Sequence, residues 1–189
     1  MESAGFKEWA IVCQALGRGE QSVILRKGGI AEGRKGFSFR HQEFFLFPSY
    51  FHEQVEKVRK IDIEFPAPTA DKIEINFYAK IEISHVIKSW EIVQALEPFH
   101  ILRPEVVRER FDYDCAPGLP IAFVRVFRIE PSWIFANAKS YGGCRSWVKL
   151  PKPPAALRFE SALGDGEHER RRKAFIDLVR AEKPAAAQP

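Results

Sequence analysis

The stretch Lys72-Ile-Glu-Ile-Asn-Phe-Tyr-Ala-Lys-Ile-Glu-Ile83 alternates apolar and polar side chains from end to end. A period of two held this long places Ile73, Ile75, Phe77, Ala79, Ile81 and Ile83 on one face of a β-strand, and Lys72, Glu74, Asn76, Tyr78, Lys80 and Glu82 on the other. A helix would scatter the same side chains around its axis. The chain therefore contains a long strand with one face in a core.

Toward the C-terminus, Ser89 offers an N-cap for a short helix carrying Trp90, Val93 and Leu96, which stops before Pro98. Pro104 fits the first turn of a second helix with Val107 and Phe111 inward. Residues 121–130 are rich in β-branched and aromatic side chains and read as a central strand. Trp147 to Leu150 reads as a last short strand. Toward the N-terminus, Phe6, Trp9, Ala10, Cys13 and Leu16 recur at helical spacing, so a helix is expected over 6–16, stopped by Gly17 and Gly19. Ser22 to Lys27 and Phe44 to Phe47 read as strands, the second ended by Pro48, and 51–60 as a short polar helix.

Strands and helices are interspersed without a regular long helix between strands, which argues against a doubly wound parallel sheet. The expected class is α+β, with a mixed or mostly antiparallel sheet, in one form curled into a small barrel, and peripheral helices. One domain over 1–150 is followed by a linker with prolines and glycines (151–166), an amphipathic helix (167–183) and a disordered end (184–189).

The 189 residues are 46% hydrophobic and 13% aromatic, enough apolar bulk for a sizeable core. No apolar run is long enough to span a bilayer, and the opening residues lack a signal-peptide pattern, so a cytoplasmic location is expected. Cys13, Cys115 and Cys144 form no Cys-x-x-Cys pair, which points to neither a disulfide framework nor a zinc knuckle. The net charge of +4 permits a polyanionic partner, DNA or RNA, and its placement matters more than its total.

That placement is uneven. Arg26, Lys27, Arg34, Lys35 and Arg40 stand against Glu32 alone between positions 26 and 41, with Gly28 and Gly29 freeing the backbone to approach an anion. Basic side chains at a strand end and loop suit phosphate contacts; a solvated hairpin with ordinary surface charge is the alternative. The glycine-opened turn from Tyr141 to Trp147 sets Tyr141, Arg145 and Trp147 where they could stack or contact a nucleotide, although a tryptophan there also suits core closure. His41, Glu43 and His52 are the local cluster able to hold a divalent metal or supply a general base. The alternative for them is a structural role around the Pro48 turn. No cofactor is implied.

Phe6-Lys-Glu-Trp-Ala10, Leu25-Arg-Lys-Gly-Gly-Ile30 with Glu32, Phe45-Leu-Phe-Pro48 with Tyr50 and His52, Arg110-Phe111, Val124-Arg-Val126 and Gly143-Cys-Arg-Ser-Trp147 resemble, in that order, a bacterial family labelled domain of unknown function 1802. The resemblance covers about residues 5–150 and leaves the linker and tail helix outside. It implies an association with Mrr-type restriction endonuclease domains, and so a restriction-endonuclease-type protein as a partner. The leading expectation is a nucleic-acid-binding recognition or regulatory module in a restriction or defence setting. A metal-dependent phosphoester hydrolase using His41, Glu43 and His52, and a protein–protein scaffold that includes a homodimer, are the other two. No catalytic mechanism follows from the sequence.

Overall fold

The structure, a computed structural model, describes residues 3–27, 37–59, 71–113 and 118–182, with only the backbone at His52 and Glu53. Among the described residues the element order is β1 (Ala4–Trp9), α1 (Ala10–Gly17), β2 (Val23–Leu25), β3 (Glu43–Ser49), β4 (Lys72–Ile87), α2 (Trp90–Ala95), α3 (Pro104–Phe111), β5 (Leu119–Ala136), β6 (Trp147–Lys149), β7 (Arg158–Ser161) and α4 (Asp165–Arg180). A 3-10 turn over His52–Lys57 follows β3, where a short helix was expected.

The seven strands form one mixed sheet in the order β2-β5-β4-β3-β1-β6, with β7 also paired to β5. The β1–β3 pair is parallel and the other pairs are antiparallel. The α+β class with a mostly antiparallel sheet is as the sequence implies. The small barrel is not formed, because β2 and β6, at opposite ends of the order, are not paired. Both are only three residues long, and Arg26 and Arg145 lie beside them; closing the ladder there would bury charge, a common device against edge pairing. The curl is nonetheless deep enough that Arg26 Nε, just past β2, donates to Ser146 Oγ, just before β6, at 3.2 Å.

The strand over 72–83 forms and runs on to Ile87, but its single apolar face is corrected. The register against β5 shifts between Ile75 and Phe77 and again between Ile81 and Ile83. At the first shift residues 129–132 of β5 stand opposite Asn76 alone, and the two faces of β4 exchange clusters at that distortion. Ile73, Ile75 and Tyr78 consequently join one apolar cluster with Phe45, Phe47, Ile129 and Trp133, while Phe77, Ala79, Ile81 and Ile83 pack with the other. That larger cluster receives buried residues from all four helices, among them Leu16, Val93, Val107 and Phe175.

Three further elements differ from the expectation. Phe6 and Trp9 lie on a strand, and helix begins only at Ala10; parallel pairing of β1 with β3, from Gly5–Phe45 to Trp9–Ser49, overrides the helical spacing. Pro48 does not end its strand but lies within β3. Residues 158–161, read as linker, pair with β5. Beyond them α4 packs onto the domain: Phe175 is fully buried against Phe99 and Phe123, and Glu82 meets His168 Nε2 at 3.0 Å and Arg172 Nε at 3.3 Å. Residues 183–189, Cys115 and the loop with Gly28, Gly29, Arg34 and Lys35 lie outside the described residues. No helix among the described residues is long and apolar enough to cross a membrane.

Candidate functional site: a basic cleft at the open seam of the sheet

Beside the unpaired ends of β2 and β6, where Arg26 and Arg145 stand, lies a cleft of about 410 Å³. Its described lining includes the cations Lys7, Arg26, Lys27, Lys57, Arg110 and Arg145, with Glu109 the acidic residue among them. Trp9, Phe51 and Tyr113 complete much of the wall, with Ser49, Gly143 and Cys144.

Each cation is delivered by a definite local structure. Lys7 and Trp9 are two apart on β1 and so project to one side. Lys7 Nζ donates to the carbonyls of Tyr141 and Gly143, both at 2.8 Å. Gly143 has φ of +79°, a left-handed conformation suited to glycine, and so turns the chain that carries Cys144 and Arg145 over the cleft. Arg26 continues the β2 ladder, its N–H bonding Pro120 O at 3.0 Å, and its guanidinium is 5.8 Å from the Phe6 ring centroid. Lys27 is mostly buried and donates to Phe111 O at 3.3 Å and Gly118 O at 2.7 Å. Its charge is thus partly spent on holding the chain on either side of the α3–β5 connection.

Arg110, from the last turn of α3, forms the floor. Its Nη1 donates to Leu25 O at 2.6 Å, its guanidinium lies 4.7 Å from the Trp9 ring centroid, and Nη2 stands 4.0 Å from Glu8 Oε1. The Glu8 side chain is 1% exposed and also accepts from Trp9 N–H at 2.8 Å. This buried carboxylate offsets the charge of Arg110 and helps hold its guanidinium in place.

Burial, with a smaller part from neighbouring cations, disfavours the charged forms of Lys7 and Arg110. The Lys7 ammonium is pushed below its ordinary range, first by burial and also by the nearby Arg145 and Arg26, with Cys144 acting in the opposite direction. Arg110 is lowered by burial and by Arg26, against the raising effect of Glu8. Among the described residues, no hydrogen bond or ion pair occupies the Lys57 ammonium or the Arg145 guanidinium. Six cations around one concavity, with Glu109 the acidic residue of its described lining, favour an anion there.

Of the residues singled out in the sequence, the structure brings Arg26, Lys27 and Arg145 into this cleft. Arg40 is exposed and does not line it. Tyr141 packs its ring on Phe47 and Phe135. Trp147 packs among Phe6, Phe44 and His41, with Nε1 toward Ser38 O at 3.4 Å. Gly28, Gly29, Arg34 and Lys35 adjoin Lys27 in sequence but are outside the described residues.

His41, Glu43 and His52 are not shown as a metal centre. Glu43 accepts from Tyr78 Oη at 2.7 Å and pairs with Lys80 Nζ at 2.9 Å, contacts that hold its carboxyl below the usual range. The His41 ring lies 4.9 Å from that of Trp147, and the side chain of His52 is outside the described set. Among the described residues no three His, Cys, Asp or Glu side chains gather closely enough to hold a metal ion.

Sequence reading missed Lys7, Lys57 and Arg110, which are distant from the basic run at 26–41. A signal did exist for two of them: Lys7 and Arg110 stand inside the motifs Phe6-Lys-Glu-Trp-Ala10 and Arg110-Phe111.

No match is found among curated proteins. Solved structures similar to this chain include ASCH from Zymomonas mobilis, at 12% identity over 90% of this chain and 93% of that one, with a TM-score of 0.44. A point mutant of the same Zymomonas mobilis protein matches at 12% identity over 92% of this chain and 98% of that one, with a TM-score of 0.43. A family model matches residues 5–174, past the expected end at 150 and into α4. The chain therefore belongs to the family described as "Domain of unknown function (DUF1802)".

Proposed function

We propose that the seam cleft is a receptor for the phosphate backbone of a nucleic acid, which makes the domain a nucleic-acid-binding module. The observation that carries this reading is the convergence of Lys7, Arg26, Lys57, Arg110 and Arg145 from five separate parts of the chain onto one concavity. A chance surface distribution pairs its cations with neighbouring carboxylates, as Arg170 and Arg171 do with Glu167 on α4. Glu8 is buried beside Arg110, and among the described residues no carboxylate pairs with Lys57 or Arg145. Arginine suits this task because its fork of donors matches phosphate oxygens.

The test is a titration of labelled oligonucleotides by fluorescence anisotropy at two salt concentrations. Binding is expected with Kd on the order of micromolar at low salt, weakening on the order of a hundredfold between about 50 and 200 mM as the gain from releasing condensed counterions falls. Absence of binding at both concentrations removes the proposal.

A further inference from the structure

The cleft carries two kinds of group, and the second narrows the ligand. Two of its cations are set below the surface: the Arg110 side chain is 14% exposed and Lys27 is 8% exposed. Phosphates on the convex outside of a duplex reach the rim of such a cleft more easily than its floor. The volume of about 410 Å³ falls in the range of sites that enclose a small ligand, enough for a nucleotide but not for a double helix.

Beside those cations stand aromatic rings. Trp9 and Phe51 meet edge to face at 5.2 Å on the wall. Tyr113, just beyond α3, lines the cleft with 53% of its surface exposed, one of the few large apolar side chains left in water. An exposed ring next to a groove of cations is the arrangement by which single strands are held: the backbone follows the charge and unstacked bases lie on the aromatic faces. A paired base has no free face to offer.

From these observations, and resting on the phosphate-receptor reading above, we infer that the cleft takes an unpaired nucleotide of a single strand. Tyr113 stacks on its base, Phe51 and Trp9 back the pocket, and Arg26, Lys57 and Arg145 meet its phosphate. The ring of Tyr113 then supplies selectivity for strand over duplex, while the cations supply attraction common to both.

The test uses the full chain with labelled decamers, as RNA and as DNA, each as a strand and as its own duplex. The strand is expected to bind about tenfold tighter than the duplex of the same chemistry. Tyr113→Ala should remove most of that margin by weakening the strand alone, and Tyr113→Phe should keep it because the ring remains. Since Tyr113 is exposed, the alanine variant is expected to keep its thermal midpoint. Duplex bound as tightly as strand, or strand affinity unchanged in Tyr113→Ala, overturns the inference. If that result comes with weaker binding of both forms by Lys57→Gln/Arg145→Gln, the phosphate receptor stands and the base-stacking site falls. If neither form binds to the parent protein, both fall together.

Discussion

The guanidinium of Arg110 lies 4.7 Å from the centroid of the Trp9 ring while one of its nitrogens bonds the carbonyl of Leu25. This one contact joins α3 to the junction of β1 with α1 and to the end of β2, the three places that meet at the open seam. Glu8 beneath it is 1% exposed, out of reach of bulk solvent. The floor of the cleft is therefore part of the fold.

Arg110→Ala is accordingly expected to destabilise the domain by about 3–5 kcal/mol, because it leaves the Glu8 carboxylate buried and unpaired. Urea denaturation would show a large drop in midpoint. The double substitution Arg110→Ala/Glu8→Gln should recover part of that loss, since the remaining side chain no longer carries a charge. A small effect from Arg110→Ala would mean that the pair, at 4.0 Å, contributes little.

Inorganic phosphate should stabilise the protein. A ligand that binds only the folded state adds RT ln(1 + [L]/Kd), about 1.4 kcal/mol at ten times its Kd. The rise in thermal midpoint should be seen against a chloride control of equal ionic strength and should shrink in Lys57→Gln/Arg145→Gln. A rise of equal size in that variant would place the anion elsewhere.

Gly17 sits where a Cβ would come within 2.0 Å of the Phe77 ring. Gly17→Ala must displace that ring from the larger apolar cluster, at a cost of about 1–3 kcal/mol, the usual range for overpacking. The double variant Gly17→Ala/Phe77→Leu should cost less than the sum of its parts, which chemical denaturation can measure.

The stability of the domain should fall on mild acidification. His100 is 3% exposed, its Nδ1 accepts from Leu102 N–H at 3.1 Å, and burial, aided by Arg59 and Arg110, lowers its pKa from 6.5 to about 3. Below 6.5 the unfolded chain takes up a proton that the folded protein refuses, so stability is lost as pH drops through the window from 6.5 toward 3. The slope is about 1.4 kcal/mol per pH unit once the unfolded imidazole is fully charged. His100→Gln keeps an acceptor without a titrating group and should flatten the decline between about pH 6 and 5, above the ordinary carboxylate range. An unchanged slope in that variant would assign the acid sensitivity to other groups.

Much of the secondary structure was legible because it is written in local patterns. The alternation around Ile75 and Ala79, the Ser89 cap, which accepts from Ile92 N–H at 3.3 Å, and Pro104 at the start of α3 all formed where the residues indicate. The failures were non-local. Phe6 and Trp9 fit a helical spacing, but the partner that makes them a strand is β3, some forty positions away. The bulge after Ile75 depends on β5 and leaves no mark in the alternation itself. The site divides in the same way. Arg26 and Arg145 drew notice as members of a basic run and a glycine turn, whereas Lys7 is a single cation on β1 and Arg110 one of several charges on α3. Only the curl of the sheet brings them together with the others. Trp147 shows the converse, a residue conspicuous in sequence whose ring is taken up by Phe6 and Phe44.

The most direct test of the phosphate receptor is the slope of log K against log salt for a single-stranded oligonucleotide. Each phosphate contact contributes about 0.7 to its magnitude. Lys57→Gln/Arg145→Gln should lower that magnitude by about 1.4 as well as weakening binding, and Arg40→Gln, outside the cleft, should leave the slope unchanged. A slope unaltered by the double substitution, or reduced as much by Arg40→Gln, would contradict the assignment of the cleft as the phosphate site.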